Sequence, residues 1–402
     1  MAGANLVGVT DATPELSLAA AARLGAEQQF TDTAQLIEHA SVRVVHVCTP
    51  NHLHAGLVEM ALAAGKHVVC EKPLAMTAND ALHLTEMANS SQAVAAVPFA
   101  YCYEPLVAEA RERILKGELG RINLIHGSYL QDWLLFPSDG NWRVDSSKGG
   151  ASRAFADIGS HWCHLAEWIT GHRITELAAA TAVSVRHRAS ASNETFAKAV
   201  VSAAEQGQFS EVETEDLACL VFRTEQGALG TLAVSQVSAG RKNRLWIEVD
   251  GSESGLAFNE EDPQNLWIGR RSGIELVPRD PALLAANARR LSVLPAGHSQ
   301  SFVDNFVGLL SDVYSAVRWL SGDCLESDET GQQCPAYPTF ADGLRAARIT
   351  EAVLQSASER RWVTVRHDMP LSRVGTQSRS GASWVASDAH SLQGGHGSGK
   401  SA

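Results

Sequence analysis

Between residues 1 and 120, short apolar runs alternate with helical stretches, and this limits the fold more than any other feature of the chain. Runs at 6–11, 42–48, 66–70 and 93–99 read as strands. Residues 14–24, 36–39, 54–64 and 78–90 read as helices, with Gly25 and Gly65 as stops. A strand–helix repeat of this spacing requires a parallel α/β sheet with right-handed crossovers. The repeat starts out of step. A dinucleotide-binding unit opens with a strand, a glycine-rich turn and a helix, and its second strand ends in an acid. Here the first strand already ends in an acid, Asp11, at the position that hydrogen-bonds an adenosine ribose 2′-OH, and no G-x-G-x-x-G precedes it. The sheet is therefore expected without its first strand and glycine-rich loop, in a chain short of about 25–30 residues, the length of one βα unit.

After Gly120 the pattern changes. Residues 122–130 read as a strand, a tryptophan-rich loop follows, and a helix runs to about Thr170. Runs rich in β-branched residues at 177–185, 217–222, 227–236 and 245–249 predict a large, mostly antiparallel open sheet with one face packed on helices. Residues 302–320 and 340–360 are long helices, and 362–365 is a last strand. The expected division is 1–120, 121–366, and a polar, disordered tail at 367–402. Within that tail, residues 394–401 match the P-loop string G-x-x-x-x-G-K-S letter for letter. They lack the preceding strand and following helix that a phosphate cradle needs.

The formal charge of −12 excludes a general nucleic-acid binder. No apolar run reaches the length of a membrane span, and the start has no signal-peptide pattern. The seven cysteines are scattered with no C-x-x-C pair, which fits reduced thiols in a cytoplasmic protein and no metal cluster.

Three sets of residues carry chemistry. Lys72, in Glu71-Lys72-Pro73, follows a buried parallel strand and is expected in the crevice at the strand's carboxyl end, with Pro73 fixing the backbone. Asp157 and His161 flank the start of a helix; His161 suits a general base, with Asp157 orienting its ring. Thr49, Pro50 and Asn51 end another strand, where Asn51 suits a ribose or carboxamide. His52 and His54 are expected to cap the next helix, and His54 is also a candidate cofactor contact. A metal site from Asp157, His161 and His164 lacks a converging ligand set, so no metal is expected. The loop carrying Gln131, Trp133, Trp142 and Arg143 mixes aromatic faces with polar groups, as a polyhydroxylated ring requires. The basic run 241–244 reads as solvated.

The stretches VVHVCTPNHLHAGLVEMALAAGKHVVCEKPLA (44–75), GGASRAFADIGSHWCHLAEWITG (149–171) and YPTFADGLRAARITEAVLQSA (337–357) resemble the glucose–fructose oxidoreductase, inositol dehydrogenase and rhizopine-catabolism family, Gfo/Idh/MocA. The resemblance covers about residues 5–365. It implies an incomplete Rossmann-type domain followed by an α+β domain with a large open sheet, often assembled into homodimers or homotetramers. It also implies that Lys72, Asp157 and His161 are catalytic, that Asp11, Thr49, Pro50, Asn51 and Glu71 contact the cofactor, and that this cofactor is NAD ahead of NADP. His164 stands where many members have Asp and is placed in the substrate pocket; Cys102 stands where relatives commonly have Arg. The expected activity is oxidation of a hydroxyl of a sugar, sugar derivative or cyclic polyol. The alternatives are an NAD-using glycosidase on the same scaffold and an inactive sugar-binding homologue.

Overall fold

The computed structural model describes residues 4–189, 209–322 and 336–366. The tail at 367–402, with its P-loop string, and Cys324 and Cys334 lie outside the described residues.

The N-terminal part alternates β1 (Gly8–Val9), α1 (Pro14–Leu24), β2 (Gln28–Gln29), α2 (Thr33–Glu38), β3 (Val44–Val47), α3 (His54–Ala63), β4 (His67–Cys70), α4 (Ala78–Ser91) and β5 (Ala95–Ala96). Its helices begin where the sequence supplies caps. The Thr13 hydroxyl accepts from Leu16 N–H with Pro14 at the first turn, and Asp32 and Thr77 cap α2 and α4. Helix α1 stops at Gly25, whose φ of 67° a residue without Cβ adopts freely. Strands β3, β4 and β5 form one parallel sheet, and β1 pairs with β2 in another. These are the two flanks of a doubly wound sheet. Among the described residues no strand joins β1 to β3, which is the gap expected from the absent glycine turn. The strands are shorter than their apolar runs. Residues 93–99 keep only Ala95–Ala96 in the parallel sheet, because Val97 N–H donates to Pro338 of the C-terminal part instead.

Helix α5 (Pro105–Leu115), which the sequence pattern did not single out, leads into the second sheet. Its strands are β6 (Ile122–Leu130), β7 (Ile174–Ala182), then β10 (Leu217–Thr224), β11 (Leu229–Ser235), β12 (Arg244–Gly251), β13 (Gly255–Asn259), β14 (Asn265–Arg270), β15 (Gly273–Pro278) and β16 (Val363–Thr364). A separate two-stranded antiparallel sheet pairs β8 (His187–Ala189) with β9 (Phe209–Glu211). The nine-stranded order is β15-β14-β13-β12-β6-β11-β10-β7-β16, antiparallel throughout except for the parallel β6–β11 pair. Helices α6 (Ser146–Gly149) and α7 (Ser160–Thr170) precede β7; α8 (Ala286–Leu291), α9 (Phe302–Leu320) and α10 (Phe340–Glu359) follow β15.

Two contacts place the site. Helix α7 lies close on the sheet: Trp162 Nε1 donates to Trp246 O at 2.9 Å, and a Cβ on Gly127 would meet that oxygen at 2.0 Å. Only glycine permits this approach, which fixes the start of α7 over β6 and β12. Helix α10 packs on both α4 and β7, and a Cβ on Gly343 would meet Leu74 Cβ at 2.8 Å. The end of β4, with Lys72, is thereby held against the part that carries His161.

Candidate active site

Lys72 leaves the carboxyl end of β4 at a cis Lys72–Pro73 bond. Its ammonium donates to Asp157 Oδ1 at 2.6 Å and to Asp157 O at 2.7 Å. Asp157 sits in a π-helical turn, Phe155–Gly159, that feeds α7. Gln236 Nε2 donates to its second oxygen, Oδ2, at 2.7 Å, and Arg143 Nε lies 3.5 Å from Oδ1. Burial raises the Asp157 pKa, but the charges of Lys72 and Arg143 override it and hold the carboxyl well below the usual carboxylate range.

His161 is the second residue of α7 and is buried. Its ring edges onto Phe99, with centroids 5.5 Å apart, and onto Tyr101, at 5.4 Å. Its Nδ1 is buried with no hydrogen-bond partner. Burial, then the Lys72 charge, push its pKa well below the ordinary histidine value, so the ring is uncharged at neutral pH. Asp157, expected to orient the His161 ring, makes its side-chain hydrogen bonds to Lys72 and Gln236 instead. Lys72 and Gln236 occupy both carboxylate oxygens, and Asp157 acts on His161 through its charge.

Other residues fall into place or out of it. Asn51 Nδ2 donates to Gly149 O at 2.8 Å, which ties the end of β3 to α6. Thr49 Oγ1 is buried with no partner. Glu71 is half-buried and its Oε2 accepts from Lys72 N at 3.3 Å; burial raises its pKa. Asp11 lies exposed after β1, with Oδ1 accepting from Ala12 N–H. The Arg143 guanidinium lies over the Trp142 ring, 4.4 Å from its centroid. Gln131 accepts from Trp133 Nε1 at 3.0 Å and donates to Asn243 Oδ1 at 3.0 Å. Asn243 also accepts from Tyr129 and donates to Tyr101, so the run read as solvated carries one residue of a network beside His161.

Two expected contacts are corrected. His54 is buried, and both ring nitrogens lie within hydrogen-bond distance of carbonyls, Pro73 O at 2.8 Å and Thr49 O at 2.9 Å. It braces the turns after β3 and β4 and has no edge left for a cofactor. His164 stacks flat on Phe99 at 4.3 Å and lines a separate cavity of about 230 Å³ with Arg111, Glu167, Trp168, Arg173 and Asp342.

Gln236 and Tyr101 escaped the sequence reading. Gln236 directly follows β11, and no local motif marks it. The residues fit a nicotinamide dinucleotide in part: Thr49, whose buried hydroxyl has no partner, and Asn51 follow β3, Lys72 follows β4, and the Asp11 carboxylate is exposed after β1. Among the described residues there is no glycine-rich turn for the pyrophosphate.

Residues 1–99 match a family model described as an oxidoreductase family with an NAD-binding Rossmann fold, and residues 107–257 match the GFO/IDH/MocA C-terminal domain. Levoglucosan dehydrogenase of Pseudarthrobacter phenanthrenivorans is 30% identical over 89% of this chain and 88% of its own. Inositol 2-dehydrogenase of Rhizobium meliloti is 24% identical over 90% and 92%. Among solved structures, levoglucosan dehydrogenase in complex with NADH and levoglucosan superposes with a TM-score of 0.76 at 28% identity, covering 90% of this chain and 91% of that one. An inositol dehydrogenase homolog from Azotobacter vinelandii, complexed with NADH and myo-inositol, gives 0.74 at 27% identity, with 88% of each covered.

Proposed function

The chain belongs to the Gfo/Idh/MocA family of NAD(P)-dependent oxidoreductases, and we propose that it oxidises one hydroxyl of an anhydrosugar, another sugar derivative or a cyclic polyol. The observation that carries this reading is the Lys72–Asp157 ion pair set beside a buried, uncharged His161. Bound NAD would supply the hydride acceptor. Thr49, Pro50, Asn51, Glu71 and Lys72 would hold its nicotinamide half, and Asp11 its adenosine ribose.

His161 takes the hydroxyl proton, because its lowered pKa leaves the ring unprotonated at neutral pH. Lys72 polarises the reacting oxygen. Asp157 keeps the ammonium charged and aimed, and Gln236 fixes the carboxylate from its other side. Gln131, Trp142 and Arg143 hold the remaining hydroxyls and ring faces. Relatives that act on levoglucosan and inositol make a rigid polyhydroxylated ring the first substrate to try. We divide the chain near Gly120 into cofactor and substrate parts and take it to work as a homodimer or homotetramer, which light scattering tests.

The test is formation of NADH on incubation with NAD and levoglucosan, myo-inositol or a glucoside. Release of an aglycone with no net NADH would instead identify the glycosidase reading. Binding of a sugar with neither NAD affinity nor turnover would identify a sugar-binding protein.

A further inference from the structure

On the open face of the nine-stranded sheet, away from Lys72, three metal-ligating side chains share one corner. His126 lies on β6 directly opposite Glu248 on β12, and Asp250 stands two residues further along β12. A strand turns alternate side chains to the same face, so all three project together while Ile125, Ile247 and Val249 bury themselves on the helix side. One ligand atom from each lies within 4.8 Å of the others, and His126 Nε2 is 3.3 Å from Asp250 Oδ2. Among the described residues this is the only such group of three.

An ordinary ion pair accounts for His126 and Asp250 but leaves Glu248 unexplained. The ion pair given for these carboxylates is that of His126 with Asp250. Two acids are thus held on one strand with a single imidazole against them. A tetrahedral zinc ion with bonds near ~2.1 Å sets its ligand atoms roughly 3.4 Å apart, so side-chain rotation alone would close the set. The strands behind it are central in the sheet and do not need to move. One nitrogen and two carboxylate oxygens suit zinc or a similar transition ion; calcium and magnesium take oxygen sets.

We propose that His126, Glu248 and Asp250 form a divalent transition-metal site, zinc first, separate from the catalytic residues. The side chains come from strands far apart in the chain, so no ligand spacing could reveal them. Trp246 reports on the site, since its ring lies 5.2 Å from that of His126. The test is calorimetric titration of tag-free, chelator-treated full chain with Zn²⁺ alone, alongside Cu²⁺ quenching of tryptophan fluorescence. The expected result is one ion per chain with a dissociation constant below about 0.1 mM. His126→Ala and the conservative Glu248→Gln should each weaken it about tenfold or more, and Trp246→Phe should remove most of the quenching. Unchanged affinity and stoichiometry in the His126→Ala/Glu248→Gln double variant would overturn the assignment. So would the absence of saturable binding in the unsubstituted chain.

Discussion

Lys72 reads as an ordinary turn lysine until Asp157 is set against it. That partnership was legible because each residue sits at an element end that opens on the crevice. The bonding within it was not, because a carboxylate chooses among partners that only the fold brings near. Asp157 took Lys72 and Gln236, leaving His161 packed between Phe99 and Tyr101. His54 and His164 show the same limit: their chemistry suits a site, but their surroundings use them for bracing and for a second cavity. A depressed His161 pKa moves the acid limb of activity downwards, because the protonated ring is the inactive form. The kcat/KM should therefore stay level as pH falls through the ordinary histidine value near ~6.5 and decline only below it. Gln236→Leu, which frees one Asp157 oxygen, should lower kcat about tenfold or more and shift that limb. Separately, burial and then the Glu104 charge raise Glu260 to about 8. A carboxyl whose folded pKa is raised adds stability below its unfolded pKa and loses it as pH rises through the folded value. Glu260→Gln should therefore raise Tm at pH ~9 and leave it nearly unchanged at pH ~4.

Helices with caps and glycine stops were readable almost to the residue, as α1 and α9 show, because their signals are local. Strand ends were not. An apolar run continues past the last ladder bond, and neighbours decide where pairing stops, as Val97 shows by bonding to Pro338. Register was equally hidden, and with it the parallel β6–β11 pair. The segment that enters the π-helical turn is anchored by a buried cluster: Arg153 and Arg188 both donate to Asp216, and all three side chains are fully buried. Asp216→Asn would leave two guanidinium groups without their counter-charge. It should cost about 3–5 kcal/mol of unfolding free energy in denaturant titration, with catalysis by the folded fraction less affected. Gly127→Ala tests the closeness of α7 to the sheet. Its Cβ would collide with Trp246 O and Trp162 Nε1, at a cost of about 1–3 kcal/mol or more.

At the scale of the molecule, the alternating pattern of the first part predicted a parallel sheet, present as the separate β1–β2 and β3–β4–β5 pieces, and the long β runs of the second predicted a large, mostly antiparallel one, present as nine strands. The joint between them was not legible. It depends on α10, whose capping box at Thr339 and Asp342 begins beside β5 and whose body crosses to β7. This joint brings the end of β4 to the start of α7, so the catalytic set exists only when both parts are folded and docked. Among the described residues no strand joins β1 to β3. The most direct measurement is the rate of NADH formation from NAD and a ring polyol, levoglucosan first, by the unsubstituted chain and by Lys72→Ala and His161→Ala. The account predicts substrate-dependent turnover that falls by roughly a hundredfold or more in each variant, with folding intact by circular dichroism. Turnover that survives unchanged in both variants would contradict it.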